Sequence, residues 1–274
     1  MKKILVPIDF SNCSRNALKN AIKIAEKLNM ELMLYHSVVV PVAFADGAPI
    51  TAVDMDFEEM EAHAESSMQK LAAEFPDLKR VKYSNMLQYG SLQESISELV
   101  EKEEVSLILM GTHGASGFEA ALLGSNAYHV MKHVDCPVIA LPENSDITKM
   151  KHIAFAGDYQ SVPNHDVLQF VMDFARAFYA QIHIIHIDKG DVVVKDQIDI
   201  ARSMERYLKN TEHTFHFRKF DDVEEGLVAF AKEQNIELLV MIAKHHGFFD
   251  RLRHGSHTKQ MLMDIPMPLM VLHE

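Results

Sequence analysis

The chain has 274 residues, 48% hydrophobic and 24% charged, a balance that fits one or two globular domains. Its 27 basic residues are outnumbered by 39 acidic ones, giving a formal net charge of −12. Such a chain lacks the positive field that non-specific binding to nucleic acid or an anionic membrane requires. A small anionic ligand stays possible, because main-chain N–H groups bind phosphate without any lysine. The two cysteines, Cys13 and Cys136, exclude a disulfide framework and a cysteine-rich zinc site. No apolar run reaches membrane-spanning length, and Asp9 breaks the run Ile4–Ile8 where a signal peptide would stay apolar. These features predict a cytoplasmic protein.

Short β-rich runs alternate with amphipathic stretches. Ile4–Ile8 reads as a buried strand, followed by a helix over 14–28 with Ala17, Ala21, Ile24, Ala25 and Leu28 on one stripe. Strands are predicted over 31–40, 81–87, 105–110 and 138–141, and helices over 57–75, 92–101 and 126–132. Apolar strands between helices imply a parallel sheet covered on both faces, hence a doubly wound α/β domain.

The order then restarts. The polar stretch 142–148 reads as a linker, so the domains are expected at 1–143 and 149–274. Leu107, Gly124-Ser125 and Pro137 recur as Leu238, Gly255-Ser256 and Pro268, all at one offset of 131 residues. Asp9 recurs as Asp158 at an offset of 149, so the second half is shorter by 18 residues. Most of that difference falls in the first half's Val39–Asp56 insertion. A fixed offset over strand, Gly-Ser and Pro points to an internal duplication.

One segment carries chemistry. Gly111, Gly114 and Gly124-Ser125 follow a strand and open a helix, with the spacing G-x2-G-x9-G-S. Glycines let a phosphate approach the main chain, and a serine at a helix start adds a hydroxyl beside free N–H groups. The pattern is neither Walker A nor the close-spaced dinucleotide fingerprint.

Together with Ile4-Leu-Val-Pro-Ile-Asp9-Phe-Ser11, Leu34-Tyr-His36, Met110-Gly-Thr-His-Gly114 and Cys136-Pro-Val138, this segment resembles the ATP-binding branch of the universal stress protein family. The resemblance covers both halves. It implies two tandem Rossmann-like domains with five-stranded, mostly parallel sheets, packed as an intramolecular pseudo-dimer through strands 138–141 and 269–272. It further implies ATP, with or without Mg2+, across the carboxyl ends of the first half's strands. Carried over by position, Pro7 and Asp9 flank the ribose and metal side, and main-chain groups of Ser37 and Val38 read the adenine edge. Met110, Gly111 and Gly114 border ribose and phosphates, and Gly124, Ser125 and Asn126 hold the phosphates. His113 either touches phosphate or faces solvent. Asn126 departs from the family's usual aliphatic residue, and Glu119 puts a carboxylate into the loop.

In the second half Ile242, His245 and Phe248 replace the three loop glycines 111, 114 and 117, and Ala156 replaces Pro7. That half is expected not to bind ATP. Its stretch 244–257 is basic and rich in histidine; His245, His246, His254 and His257 fit no ordered zinc spacing, and a solvated loop is favoured. Cys13, Cys136, His36, His186 and the scattered methionines read as structural. With no general base or Walker lysine, the chain is not expected to be an enzyme. The expected function is a nucleotide-dependent stress-response switch; the alternatives are a nucleotide-free interaction scaffold and a slow ATP hydrolase. A homodimer stays open, as do the stress and the partner served.

Overall fold

A computed structural model describes residues 2–38, 43–45, 48–50, 57–113, 124–157, 161–188, 195–243 and 267–274. Gly114, Glu119, Asp158 and the segment 244–266 lie outside them. The first half runs β1 (Lys3–Pro7), α1 (Asn12–Leu28), β2 (Glu31–Val38), a hairpin of β3 (Ala43–Ala45) and β4 (Ala48–Ile50), and α2 (Phe57–Glu74). It continues with a 3-10 turn (Pro76–Arg80), β5 (Tyr83–Tyr89), α3 (Leu92–Lys102), β6 (Val105–Gly111), α4 (Ser125–His133) and β7 (Val138–Leu141). The second half contributes β8 (His152–Ala156), α5 (His165–Phe178), β9 (Gln181–Asp188), α6 (Lys195–Leu208), β10 (His213–Lys219), α7 (Val223–Glu233), β11 (Leu238–Ala243) and β12 (Leu269–His273).

All main strands join one ten-stranded sheet in the order β10-β9-β8-β11-β12-β7-β6-β1-β2-β5. In this sheet every pairing inside a half is parallel. The seam is antiparallel, with Leu269 opposite Ala140, Met270 opposite Ile139 and Val271 opposite Val138. Parallel halves joined by an antiparallel seam are related by an approximate two-fold axis, so the chain is a pseudo-dimer of two five-stranded units. The seam strands are buried throughout except at His273. Joining them covers two edges that would otherwise offer open ladders to another chain.

The duplication is visible in the backbone. α3 and α7 span corresponding residues at the offset of 131, and both end before a left-handed residue, Glu104 and Asn235. α1 and α5 likewise end on left-handed caps, Asn29 and Tyr179. His36 and His186 also do one job: their Nδ1 atoms donate to the carbonyls of Ile8 and Gly157, at 2.7 and 3.0 Å. Each histidine ties the exit of its half's first strand to the second strand, which fits their structural reading.

One face of the sheet carries α1, α2, α5 and α6, whose core residues form a single cluster across both halves. Lys27 of α1 lies 5.0 Å over the Phe178 ring of α5 there. The other face carries α3, α4 and α7. Three sequence expectations change. β5 begins two residues late, because the 3-10 turn and its cap at Val81 take up the preceding residues. The Val39–Asp56 insertion contains the β3–β4 hairpin. The stretch 142–148, expected as a linker, is a packed connection: Ile147 within it and Met150 just after it are fully buried. Asn16 and Asn20 of α1 bond its backbone at Pro142, Ser145 and Ile147. Among the described residues no helix is long and apolar enough to cross a membrane.

Candidate functional site

The first half's strand order β5-β2-β1-β6-β7 reverses direction between β1 and β6. In doubly wound sheets the carboxyl ends of the strands flanking such a reversal leave a crevice, because their helices depart to opposite faces. α1 leaves β1 toward one face and α4 follows β6 on the other. Pro7 ends β1 and Asp9 follows it, Met110 and Gly111 end β6 with His113 just beyond, and Gly124, Ser125 and Asn126 lie at the start of α4. Ser37 and Val38 end β2, the next strand along.

Asp9 is exposed. Its Oδ1 accepts from the Ser11 main-chain N–H at 3.0 Å and the Ser11 hydroxyl at 2.6 Å. Ser11 in turn caps α1 by accepting from the Ser14 N–H at 3.1 Å. Between them Phe10 takes φ 62°, an unusual backbone for a bulky residue. Two contacts hold it there: Arg15 donates to the Phe10 carbonyl while pairing with Glu74 at 2.9 Å, and the Phe10 ring lies 4.7 Å from the His36 ring.

On the other side, Thr112 is a hub that the sequence reading missed. It is buried; its N–H donates to the Leu141 carbonyl at 3.0 Å, and its carbonyl accepts from the Gly124 N–H at 2.5 Å. Its hydroxyl lies 2.9 Å from Nδ1 of the half-buried His113. Thr112 thus ties the end of β6 to the start of α4. The signal available in sequence was a small polar residue directly after a strand at the reversal point.

Gly124 is the N-cap of α4 and has no side chain with which to cap its first N–H groups. Ser125 and Asn126 are exposed in its first turn, and Asn126 Oδ1 accepts from Gln93 of α3 at 2.9 Å. Ser37 directs its hydroxyl to the Gly90 carbonyl, and the Val38 carbonyl accepts from the Gly90 N–H at 3.1 Å. Each carbonyl retains a second lone pair. Pro7 is half-buried, and Met110 is buried in the sheet opposite Ala140.

The glycines also have packing roles. A Cβ on Gly111 would lie 2.6 Å from Cys13 Cβ, and one on Gly124 2.8 Å from the Thr112 oxygen. Both close approaches are built into the protein without any ligand. Burial pushes the Cys13 thiol up, helped by the charges of Glu143 and Asp9, against bonds from the His113 N–H and Thr112 that pull it down. A protonated, buried thiol is a poor nucleophile, so Cys13 is a packing residue at the crevice. Cys136 is pushed up to about 12 by burial. Among the described residues no cluster of three or more His, Cys, Asp or Glu has metal-binding geometry.

The sequence model of the Universal stress protein family matches residues 1–142 and again 149–273. The chain belongs to this family. Universal stress protein MJ0531 of Methanocaldococcus jannaschii is 35% identical over 144 residues, 51% of this chain and 81% of that protein. Universal stress protein A homolog 1 of Coxiella burnetii is 30% identical over 145 residues, 51% of this chain and 95% of its own length. A crystal structure of a universal stress protein from Archaeoglobus fulgidus aligns with 99% of this chain and 96% of its own, at a TM-score of 0.75 and 21% identity. At that identity the likeness carries the fold alone. The single-unit relatives match half of this chain, as two family units in tandem require.

Proposed function

We propose that the first half binds an adenine nucleotide, ATP with or without Mg2+, and acts as a nucleotide-dependent switch in a stress response. This reading is supported by the start of α4, where the N-cap Gly124 brings no capping side chain, and by the exposed Asp9 after β1, the strand on the other side of the β1–β6 reversal. Free N–H groups at a helix start attract phosphate, and the positive end of the helix dipole adds to this. An exposed carboxylate opposite is suited to a divalent ion that a polyphosphate would bring. Ser125 and Asn126 would hold phosphate, Gly111 and His113 would border it, and the ends of β1 and β2 would face the nucleoside. Gly114 belongs to the same proposed set on sequence grounds. In this reading ATP is a ligand whose charge biases the site rather than a reacting group.

The packing roles of Gly111 and Gly124 favour a second reading, an interaction scaffold that keeps the glycine pattern for structural reasons. One experiment separates the two. Freshly purified protein is denatured, and any released small molecule is identified and counted per chain. About one adenine nucleotide per chain supports the switch with one working half, and two per chain would mean that the second half binds as well. No nucleotide, with no shift in melting temperature on adding ATP, moves the reading to the scaffold.

A further inference from the structure

The second half holds a cluster outside this crevice. His152 of β8, His183 of β9 and His216 of β10 form a row across three neighbouring strands. His152 Nδ1 lies 3.0 Å from His183 Nε2, and His183 Nδ1 lies 3.1 Å from His216 Nε2. Thr214 Oγ1 sits beside the second contact, 2.9 Å from His216 Nε2 and 3.3 Å from His183 Nδ1. Phe230 of α7 closes over the row, its ring 4.8 Å from His216 and 6.3 Å from His183. His183 is only 5% exposed. The corresponding strand positions of the first half hold Lys3, Met33 and Met86. Two imidazoles thus stand where the first half needs only apolar packing.

A neutral imidazole carries one N–H and one lone pair, so rings in series satisfy one another with one proton in each contact. Two neighbouring imidazolium rings would face N–H to N–H. The Thr214 oxygen can accept at the second contact, whereas at the first the two rings meet directly at 3.0 Å. The surrounding charges do not compensate. Arg218 on β10 is paired with Glu233 of α7 at 2.8 Å. Glu237, after α7, is engaged by the main-chain N–H groups of Lys151 and His152. α7 otherwise presents the apolar Leu227 and Phe230 to this core.

We propose that the His152–His183–His216 row is an acid-sensitive latch: neutral rings hold β8, β9 and β10 closed under α7, and protonation in mildly acidic solution opens this edge of the second half. Burial, with His216 and His152 adding to it, holds His183 down to about 4, and burial followed by Arg218 lowers His216 against the pull of Glu233. In the opened state these rings titrate near about 6.5. Opening therefore takes up protons. The latch is at full strength above that value and weakens as pH falls toward 4, by about tenfold per pH unit for His183 alone.

The test is hydrogen exchange on the full chain between pH 7.5 and 5.0, corrected for intrinsic rates. Peptides from β2 and β5 serve as the internal reference. Protection over β9 and β10 is expected to fall at least tenfold while the reference holds. His183→Met, which installs the residue of Met33, is expected to abolish that fall, and His216→Met to reduce it. Equal loss in both halves, or undiminished loss in the variants, overturns the latch. Should neither variant fold, the imidazole resonances of the wild-type chain decide: His183 protonating near 6.5 in the folded protein overturns it, and protonation well below supports it.

Discussion

Gly111 and Cys13 meet so closely that a Cβ on the glycine would lie 2.6 Å from Cys13 Cβ and 2.9 Å from its carbonyl carbon. The end of β6 and the first turn of α1 touch here through backbone, and only a residue without a side chain fits. In the second half Ile242 stands at this position and packs against the core. Gly111→Ala is expected to lower stability by about 1–3 kcal/mol through overpacking, in protein stripped of any ligand. Urea denaturation reads this directly. An unchanged midpoint would leave ligand approach as the only role for Gly111.

This contact shows where sequence reading reached its limit. The alternation of strands and helices was legible because buried parallel strands are continuous apolar runs, and β7 appears at the expected residues 138–141. The region of the candidate site was legible for a related reason: Asp9 and Gly124-Ser125 follow strands that flank the sheet's reversal. The reason for each glycine was not legible, since a turn, a ligand and a crossing helix all select glycine. The histidine row was hidden too. His152, His183 and His216 lie 31 and 33 residues apart, and only the parallel register of three strands brings them together.

Phosphate binding at α4 can be tested without disturbing the fold. Ser125 is exposed in the helix's first turn, where a carboxylate complements the dipole. Ser125→Asp is therefore expected to leave stability unchanged or raise it by about 0.3–1 kcal/mol. The same charge repels a polyphosphate, so nucleotide affinity measured by calorimetry is expected to fall at least tenfold. Undiminished affinity in a stable variant would move the phosphates away from this helix.

Thiol labelling checks the two buried cysteines. With its pKa near 12, Cys136 presents roughly one thiolate in ten thousand at pH 8. Its reaction with a disulfide reagent is expected to be slower than that of a free thiol by about a thousandfold, and to quicken about tenfold per pH unit. Cys13 is raised as well and is expected to label slowly in the native protein. Both should react at once in denaturant. Prompt labelling of either thiol in native protein at pH 8 would contradict its burial.

Asn20 fastens the connection between the two halves to α1. It is 1% exposed, its amide donates to the carbonyls of Asn16 and Ser145 at 2.9 and 3.2 Å, and its Oδ1 accepts from the Ile147 N–H at 3.0 Å. The connection 142–148 is thereby fastened to α1, the helix whose N-terminus caps beside Asp9. Asn20→Ala strands the Ile147 N–H and is expected to cost about 1–3 kcal/mol. Asn20→Asp keeps the acceptor for Ile147 but turns a carboxylate toward the Ser145 carbonyl, so it is expected to be no better at neutral pH and to improve as the carboxyl protonates. Denaturation midpoints at pH 7 and pH 4.5 separate the two variants. Proteolysis within 142–148 should quicken in both, because the same bonds that satisfy Asn20 hold that backbone down. A midpoint unmoved by Asn20→Ala would mean that water replaces the amide and that the connection is held by the burial of Ile147 and Met150 instead.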